Sequence, residues 1–372
     1  MTRSETSDQI PVQAIADGHA SQPVYRRRTV VRIGGGTFVI RPWATGAGVV
    51  LATAALLLFA TSIGVSELPM NLVDVARILL GGGTRAENVV VFDSQLPIGL
   101  VGLLVGFSLG MSGSLTQVIA RNPLATPDML GITSGASAAA VAVIAFGSSW
   151  ATWLADLGLA AAALVGGLLT AGAMYALTWR KGIDPIRLVL VGVALTWGLQ
   201  AVVAYLLTRA QVHQAQQAQR WIVGSVSGAG WNDVWPPLIV LLPAIAFVAV
   251  QSRNLAVLSL GEDIGRGLGV RSNAVSGVML VVAVVVAAVA VSSAGPIAFV
   301  ALLAPQVAMR LTRSEMPGPI TSGLTGACLV IAGDIICRAV LPPGVPVGVV
   351  TAGIGGPALI YLMIRINRKA SV

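Results

Sequence analysis

Residues Ser112 to Ser137 read SGSLTQVIARNPLATPDMLGITSGAS. This stretch interrupts two long apolar runs. Arg121, Asn122 and Asp128 are costly to hold in lipid, and Pro123 and Pro127 stop helices. The chain therefore leaves the membrane here and re-enters it. From Gly131 to Ala140 nearly every residue is small, which lets helices pack with their backbones close together. A plain connecting loop requires none of this.

The 372 residues are 55% hydrophobic and 10% charged, against about 25% charged in soluble domains. So much apolar surface has no place in a soluble chain, and the composition reads as an all-α, polytopic membrane protein. The net charge is +8. A basic balance can signal nucleic acid, but these basic residues sit in short gaps between apolar runs, as topology signals do. The implied partner is membrane lipid. Cys328 and Cys337 lie in one apolar segment, about 13 Å apart along a helix, too far for a disulfide.

A span needs roughly 20 apolar residues. Ten fit: 43–65, 95–119, 129–148, 153–178, 187–208, 233–251, 272–292, 296–312, 319–340 and 346–366. Residues 1–42 form a polar, basic tail, read as disordered to about residue 28 and without the apolar core of a signal peptide. Residues 43–368 form the membrane domain. Arg26, Arg27, Arg28, Arg32 and Arg41 precede the first span and hold the N-terminus in the cytoplasm. With ten spans the C-terminus returns there. Of 23 basic residues, 18 then fall inside and 5 (Arg77, Arg85, Arg209, Arg220, Arg338) outside, as the positive-inside rule requires. Ala294-Gly295-Pro296 through Pro305 and Arg310 weakly echoes Ser112-Gly113 through Pro123. Two inverted halves of five spans fit this echo.

The ordered set Arg121-Asn122-Pro123-Leu124-Ala125, Pro127, Leu130-Gly131 and Gly135-Ala136 resembles the signature of the iron–siderophore, haem and cobalamin importer permeases, the FecCD family. The resemblance covers residues 90–366. It implies the membrane subunit of a binding-protein-dependent ABC importer in the cell membrane. The implied partners are a second permease copy or paralogue, cytoplasmic ABC ATPases and an extracytoplasmic binding protein. Ferric siderophore is the expected cargo, with haem or cobalamin as alternatives.

Gly102, Gly106 and Gly110 line one face of the second span and read as helix packing. Gly348, Ala352 and Gly356 have the same spacing on the tenth. In the resembling family the fifth and tenth helices line the translocation path, which assigns these three to a path wall. Residues 253–271 place Leu260, Ile264 and Leu268 on one apolar stripe, with Glu262, Asp263 and Arg266 off it. Four glycines in this segment destabilise an isolated helix by roughly 1 kcal/mol each, so a partner must support it. It resembles the family's coupling element, which docks into an ATPase. The two readings are a loop resting on the membrane and that docking helix, and the second is preferred.

Three positions bear on the family pattern. The Arg-Leu-Pro-Arg that opens the family's second span reads Gln95-Leu96-Pro97-Ile98 here, so two external cations are missing. The Pro-His pair of the eighth span is Pro305-Gln306. The Asp-x-x-x-Arg of the ninth is intact as Asp334 and Arg338. By resemblance Arg338 docks the binding protein; on spacing alone it pairs with Asp334 one turn earlier.

The chain is not expected to be an enzyme. A P-loop needs Lys followed by Ser or Thr, whereas Lys181 precedes Gly182 and Lys369 precedes Ala370. The two histidines, His19 and His213, form no nucleophile pair or metal set. No cofactor is implied. A secondary, ion-coupled transporter buries carboxylates at mid-span, whereas Asp156 and Asp334 lie toward span ends.

Overall fold

In a computed structural model of the chain the described residues are 29–33, 36–40, 42–66, 70–150, 158–178, 185–259, 265, 267 and 272–370. Ten long helices dominate. They are α1 Pro42–Gly64, α2 Leu96–Ala120, α3 Ile132–Trp150, α4 Gly158–Thr178, α5 Pro185–Arg209, α6 Trp231–Val250, α7 Ser272–Ala294, α8 Val300–Thr312, α9 Pro319–Ala339 and α10 Val347–Ala370. Seven are long and apolar enough to cross a membrane; α3, α8 and α10 contribute the shorter apolar stretches Ile132–Gly147, Val300–Thr312 and Val347–Leu362. These ten helices stand where the sequence places ten spans.

The helix that organises the bundle is α2. It is buried at nearly every position from Pro97 to Val118, because α1, α6, α7, α8 and α9 all pack on it. Its residues permit this. A Cβ added to Gly106 would lie 2.5 Å from Gly326 O, one on Gly110 2.2 Å from Ser322 O, and one on Gly113 1.9 Å from Ala301 O. The backbones of α8 and α9 thus touch the backbone of α2. Two serines beside these glycines donate to neighbouring segments: Ser112 Oγ to Ala283 O of α7 at 2.7 Å, and Ser114 Oγ to Pro317 O, just ahead of α9, at 2.9 Å. The packing expected of the glycines on this span is present at Gly106 and Gly110, whereas a Cβ on Gly102 would make only ordinary contact, 3.6 Å from the Ile331 side chain.

The contacts also exchange the halves of the chain. Pair α2–α9 has its counterpart in α7–α4, α3–α4 in α8–α9, α3–α5 in α8–α10, α4–α5 in α9–α10, and α2–α8 in α7–α3; α2–α7 maps onto itself. Each half has five spans, so the second half starts on the opposite side of the bilayer. Helices α2–α5 and α7–α10 thus repeat as inverted halves do, whereas α1 and α6 differ, α1 packing on α8 and α9 and α6 on α2.

Some boundaries differ from the sequence reading where the backbone turns. The eighth span begins at Val300, not 296, because Gly295 has φ +70 and Phe299 φ +66, which no helix accommodates. The third begins at Ile132, after the 3₁₀ turn Pro127–Leu130 and Gly131 at φ +72. The second is preceded by a π-helical turn, Val89–Gln95.

The basic tail contains an antiparallel hairpin that the sequence reading missed. Thr29–Ile33 pairs with Gly36–Ile40, from Thr29↔Ile40 to Ile33↔Gly36. Two β-branched runs flanking glycines were the available signal. The tail expected to be disordered, 1–28, lies outside the described residues.

The seam through Gly113 is testable. Gly113→Ala should lower stability by about 1–3 kcal/mol or more, since α8 must move to admit the methyl group. Gly172→Ala, with nothing within 4 Å of its Cβ, should be neutral. Thermal unfolding in detergent reads the difference, and equal shifts would defeat the packing account.

Candidate functional site

The signature stretch closes one end of the bundle. Arg121 caps α2 in the left-handed region at φ 49. Asn122 Oδ1 accepts from Leu124 N at 2.9 Å, an Asx turn that reverses the chain ahead of Pro123. Pro127 opens the 3₁₀ turn, and Gly131 ends it. This turn is wedged against α5, whose Gly192 would place a Cβ 2.2 Å from Met129 O. Gly135 then lets α3 meet α4, since its Cβ would fall 2.5 Å from Gly166 O and 2.0 Å from Thr170 Oγ1. The structure thus places Arg121, Asn122, Pro123, Pro127 and Gly131 along one turn between α2 and α3, with Gly135 in the first turn of α3 beside it. Asp128 lies half-buried within it. Desolvation pushes its carboxyl up to about 6, against a hydrogen bond from Thr133 that favours the ionised form.

Two buried glutamines tie this turn to the second half of the chain. Gln306 Nε2 of α8 donates to Gln117 Oε1 of α2 at 2.7 Å and to Pro123 O at 3.4 Å. Gln117 Nε2 donates in turn to Leu302 O at 3.1 Å. Gln306, a departure from the family pattern in sequence, is therefore a built part of the site. Gln117 was missed. The available signal was an amide inside an apolar helix, which must find a partner.

Most of the coupling segment, including Leu260, Glu262, Asp263, Ile264, Arg266 and Leu268, lies outside the described residues. Its start is described. Helix Ser252–Leu258 buries Leu255 against Leu115 and Val118 of α2 and Met279 of α7. The described start of the segment therefore lies against the signature-turn end of α2.

At the far end, three loops meet backbone to backbone. Helix Val212–Val223 ends at Gly224, φ +80, whose Cβ would lie 2.2 Å from Pro296 O. Gly295 faces Trp221 O in the same way at 2.4 Å. Ser225 N donates to Ala294 O at 2.8 Å, and Gly348 N to Gly224 O at 3.1 Å. A Cβ on Gly348 would meet Val223 O at 1.8 Å. Gly348 is thus clasped, whereas Ala352 is half-buried and Gly356 has nothing within 4 Å of its Cβ position. Beside this clasp lies a cavity of about 320 Å³ lined by Gln217, Arg220, Trp221, Asp233 and Ser293 among others. Among the described residues no group of three His, Cys, Asp or Glu could hold a metal ion.

Arg338 also sits at the far end, with three acceptors. Nη1 donates to Val65 O at 2.8 Å and Gln95 Oε1 at 2.7 Å, and Nη2 to Asp334 Oδ2. The pairing with Asp334 expected from spacing is present. Of the two neutral replacements, Gln95 supplies an acceptor to Arg338, and Ile98 is buried in the main core. The side chains of Arg338 and Asp334 are 18% and 3% exposed. Breaking so buried a pair from one side costs about 3–5 kcal/mol. Arg338→Gln should show this loss in thermal unfolding, and Asp334→Asn in the same chain should recover most of it. A double variant no better than the single one would remove the ion pair as the cause.

Comparisons with known proteins follow the same outline. The model of the FecCD transport family matches residues 53–365. The iron(3+)-hydroxamate import system permease protein FhuG of Bacillus subtilis is 35% identical over 86% of this chain and 97% of its own length. The ferric enterobactin transport system permease protein FepG of Escherichia coli is 36% identical over 79% and 88%. The cobalamin import system permease protein BtuC of Halobacterium salinarum is 35% identical over 79% of each chain. A solved structure of a putative metal-chelate type ABC transporter in an inward-facing conformation shares the fold, with TM-score 0.75 and 22% identity over 86% of this chain and 99% of that one. With all ten helices, the signature turn and these relatives in agreement, the chain belongs to the FecCD transport family.

Proposed function

We propose that the chain is the membrane-spanning permease subunit of a binding-protein-dependent ABC importer whose cargo is a ferric siderophore. The observation that carries this is the extent of the family match, residues 53–365, which takes in nearly the whole bundle. Relatives over that span are named as permeases for ferric hydroxamate and ferric enterobactin. The 35% identity to a cobalamin permease keeps cobalamin as the second reading.

Two permease subunits, this chain with a second copy or a paralogue, pair in the cell membrane. The signature-turn end and both termini face the cytoplasm; 18 of the 23 basic residues on that side support this. ATP is hydrolysed on separate subunits, which the segment 253–271 meets through Leu260, Glu262, Asp263, Ile264, Arg266 and Leu268. Closure of the ATPases pulls on that segment, and the helix at 252–258 carries the movement to α2 and α7. The far end receives the binding protein, and Arg338 sets the surface that it meets by bracing α9 against Gln95 and Val65. For cargo to enter, the clasp at Gly224, Gly295 and Gly348 must part. Gly348, Ala352 and Gly356 line the path, and the open space beside Gly356 supports that role.

Cells lacking this chain should lose uptake of iron-labelled ferric hydroxamate while keeping cobalamin uptake, and the wild-type gene should restore it. Glu262→Lys/Asp263→Lys should restore neither uptake nor transport-stimulated ATP hydrolysis, while the permease still assembles. Loss of cobalamin uptake alone would transfer the reading to that cargo, and unchanged uptake of both would end it. The orientation is tested separately. With Cys328 and Cys337 replaced, an impermeant thiol reagent should modify Gln216→Cys but not Asp263→Cys in intact cells. The reverse pattern would invert the topology.

A further inference from the structure

The cavity beside the far-end clasp is built from both sides of that clasp. The end of helix Val212–Val223 and the loop after it supply Gln217, Arg220, Trp221 and Ser225, and the end of α7 supplies Ser293 and Ala294. Asp233, in the first turn of α6, lines it as well. The hydrogen bond from Ser225 N to Ala294 O joins these two walls and is part of the clasp itself.

Helical spacing sets the first wall. Gln217, Arg220 and Trp221 stand at i, i+3 and i+4 and so share one face. Ala218, off that face, is buried in one cluster with Ala138 and Val141 of α3 and Val203 and Leu206 of α5, which fixes the helix in place. Trp221 packs on Ala136 and Ala163 and holds its wall against α3 and α4. Arg220 and Gln217 are exposed and make no hydrogen bond or ion pair among the described residues. Asp233 uses one carboxylate oxygen, Oδ2, to accept from Gly230 N at 2.9 Å and is half-buried. It has no ion pair among the described residues either. Ser293 Oγ donates to Val289 O at 3.3 Å and so offers the cavity lone pairs.

A guanidinium and a carboxylate thus line one cavity without pairing with each other. The planar fork of Arg220 matches a carboxylate. Asp233 and Ser293 are acceptors and call for a donor, so a plain dicarboxylate would leave Asp233 facing an anion with nothing between them. The volume of about 320 Å³ is at the small end of ligand sites and suits a small acid.

We propose that this cavity binds a small hydroxycarboxylate, with its carboxylate on Arg220 and Gln217 and its hydroxyl on Asp233 or Ser293, and that the bound acid holds the clasp shut. The second half follows by linkage. When Ser225 leaves Ala294 the two walls separate, so a ligand seated across both favours the closed clasp. That half rests on the importer reading, in which the clasp must part. Binding rests on the cavity alone, and neither depends on the cargo.

The probes are L-malate and succinate, which differ by one hydroxyl, titrated calorimetrically into the full-length chain in detergent. Wild type should bind malate, and succinate about fivefold more weakly, as the loss of one hydrogen bond predicts. Arg220→Gln should weaken malate by about tenfold or more, since a hydrogen bond to a charged group is lost. Asp233→Asn keeps an oxygen for Gly230 N and should bring the two acids close to equal affinity. Hydrogen exchange reads the clasp. At ten times its Kd, malate should slow exchange of the Ser225 and Gly348 amides by about tenfold, because opening must wait for release. An absence of malate binding would overturn the proposal, as would unchanged affinity in Arg220→Gln or equal affinity for the two acids in wild type. Malate binding with unchanged exchange at both amides would overturn the control of the clasp. An absence of malate binding together with weaker binding-protein affinity in Arg220→Gln would give the surface to that partner instead. None of these outcomes alters the uptake of ferric hydroxamate by cells, so a failure here is distinct from a failure of the importer reading.

Discussion

The close approach of α2 to α8 and α9 is the contact on which the rest of the bundle depends. In lipid there is little hydrophobic gain in bringing one apolar helix to another, so helix association relies on van der Waals contact and on hydrogen bonds across the seam. Glycine supplies the first by letting backbone meet backbone at Gly106, Gly110 and Gly113. Serine supplies the second by donating to carbonyls of neighbouring segments. With α2 enclosed in this way, the other helices pack around it in pairs that repeat between the two halves.

The two ends of the bundle are held by different means. At the signature end side-chain amides do the joining. Gln306 and Gln117 link α8, α2 and the Pro123 carbonyl through buried hydrogen bonds, which are costly to leave half-made. At the far end the junction is almost wholly backbone, through glycines at positive φ and N–H groups donated between loops. Such a junction has few side-chain contacts to undo, and the buried Arg338–Asp334 pair at the same end is separate from it, bracing α9 against Val65 and Gln95. A transporter that opens one end at a time needs ends that part independently, and among the described residues these two share no hydrogen bond.

The far-end ion pair shows how departures from a family pattern are absorbed. A second cation at position 95 would stand beside the Arg338 guanidinium, whereas Gln95 accepts from it. A cation at position 98 would enter the main hydrophobic core, where Ile98 packs. The neutral residues thus fit one arrangement, in which Arg338 is consumed within the chain by Asp334, Gln95 and Val65.

The sequence by itself determined the class, the ten spans and the pairing of Asp334 with Arg338, which rest on local composition or short-range spacing: apolar runs set by bilayer thickness, prolines that end helices, and an Asp and Arg one turn apart. The inverted halves and the meaning of the signature stretch were legible only through resemblance to a known family, beside a weak internal echo. The sequence also marked the glycines of α2 as packing residues. It did not find the hairpin at 29–40, and it misplaced the start of α8, where Gly295 and Phe299 depart from helical φ. Only the tertiary structure paired Gln117 with Gln306, Gly348 with Val223, Arg338 with Gln95, and Trp43 with Arg313. These partners are far apart in the chain, and no local periodicity encodes which buried amide, carbonyl or ring will be opposite another. That choice is made when the helices come into contact, because each buried polar group must then take whichever partner the packing leaves within reach.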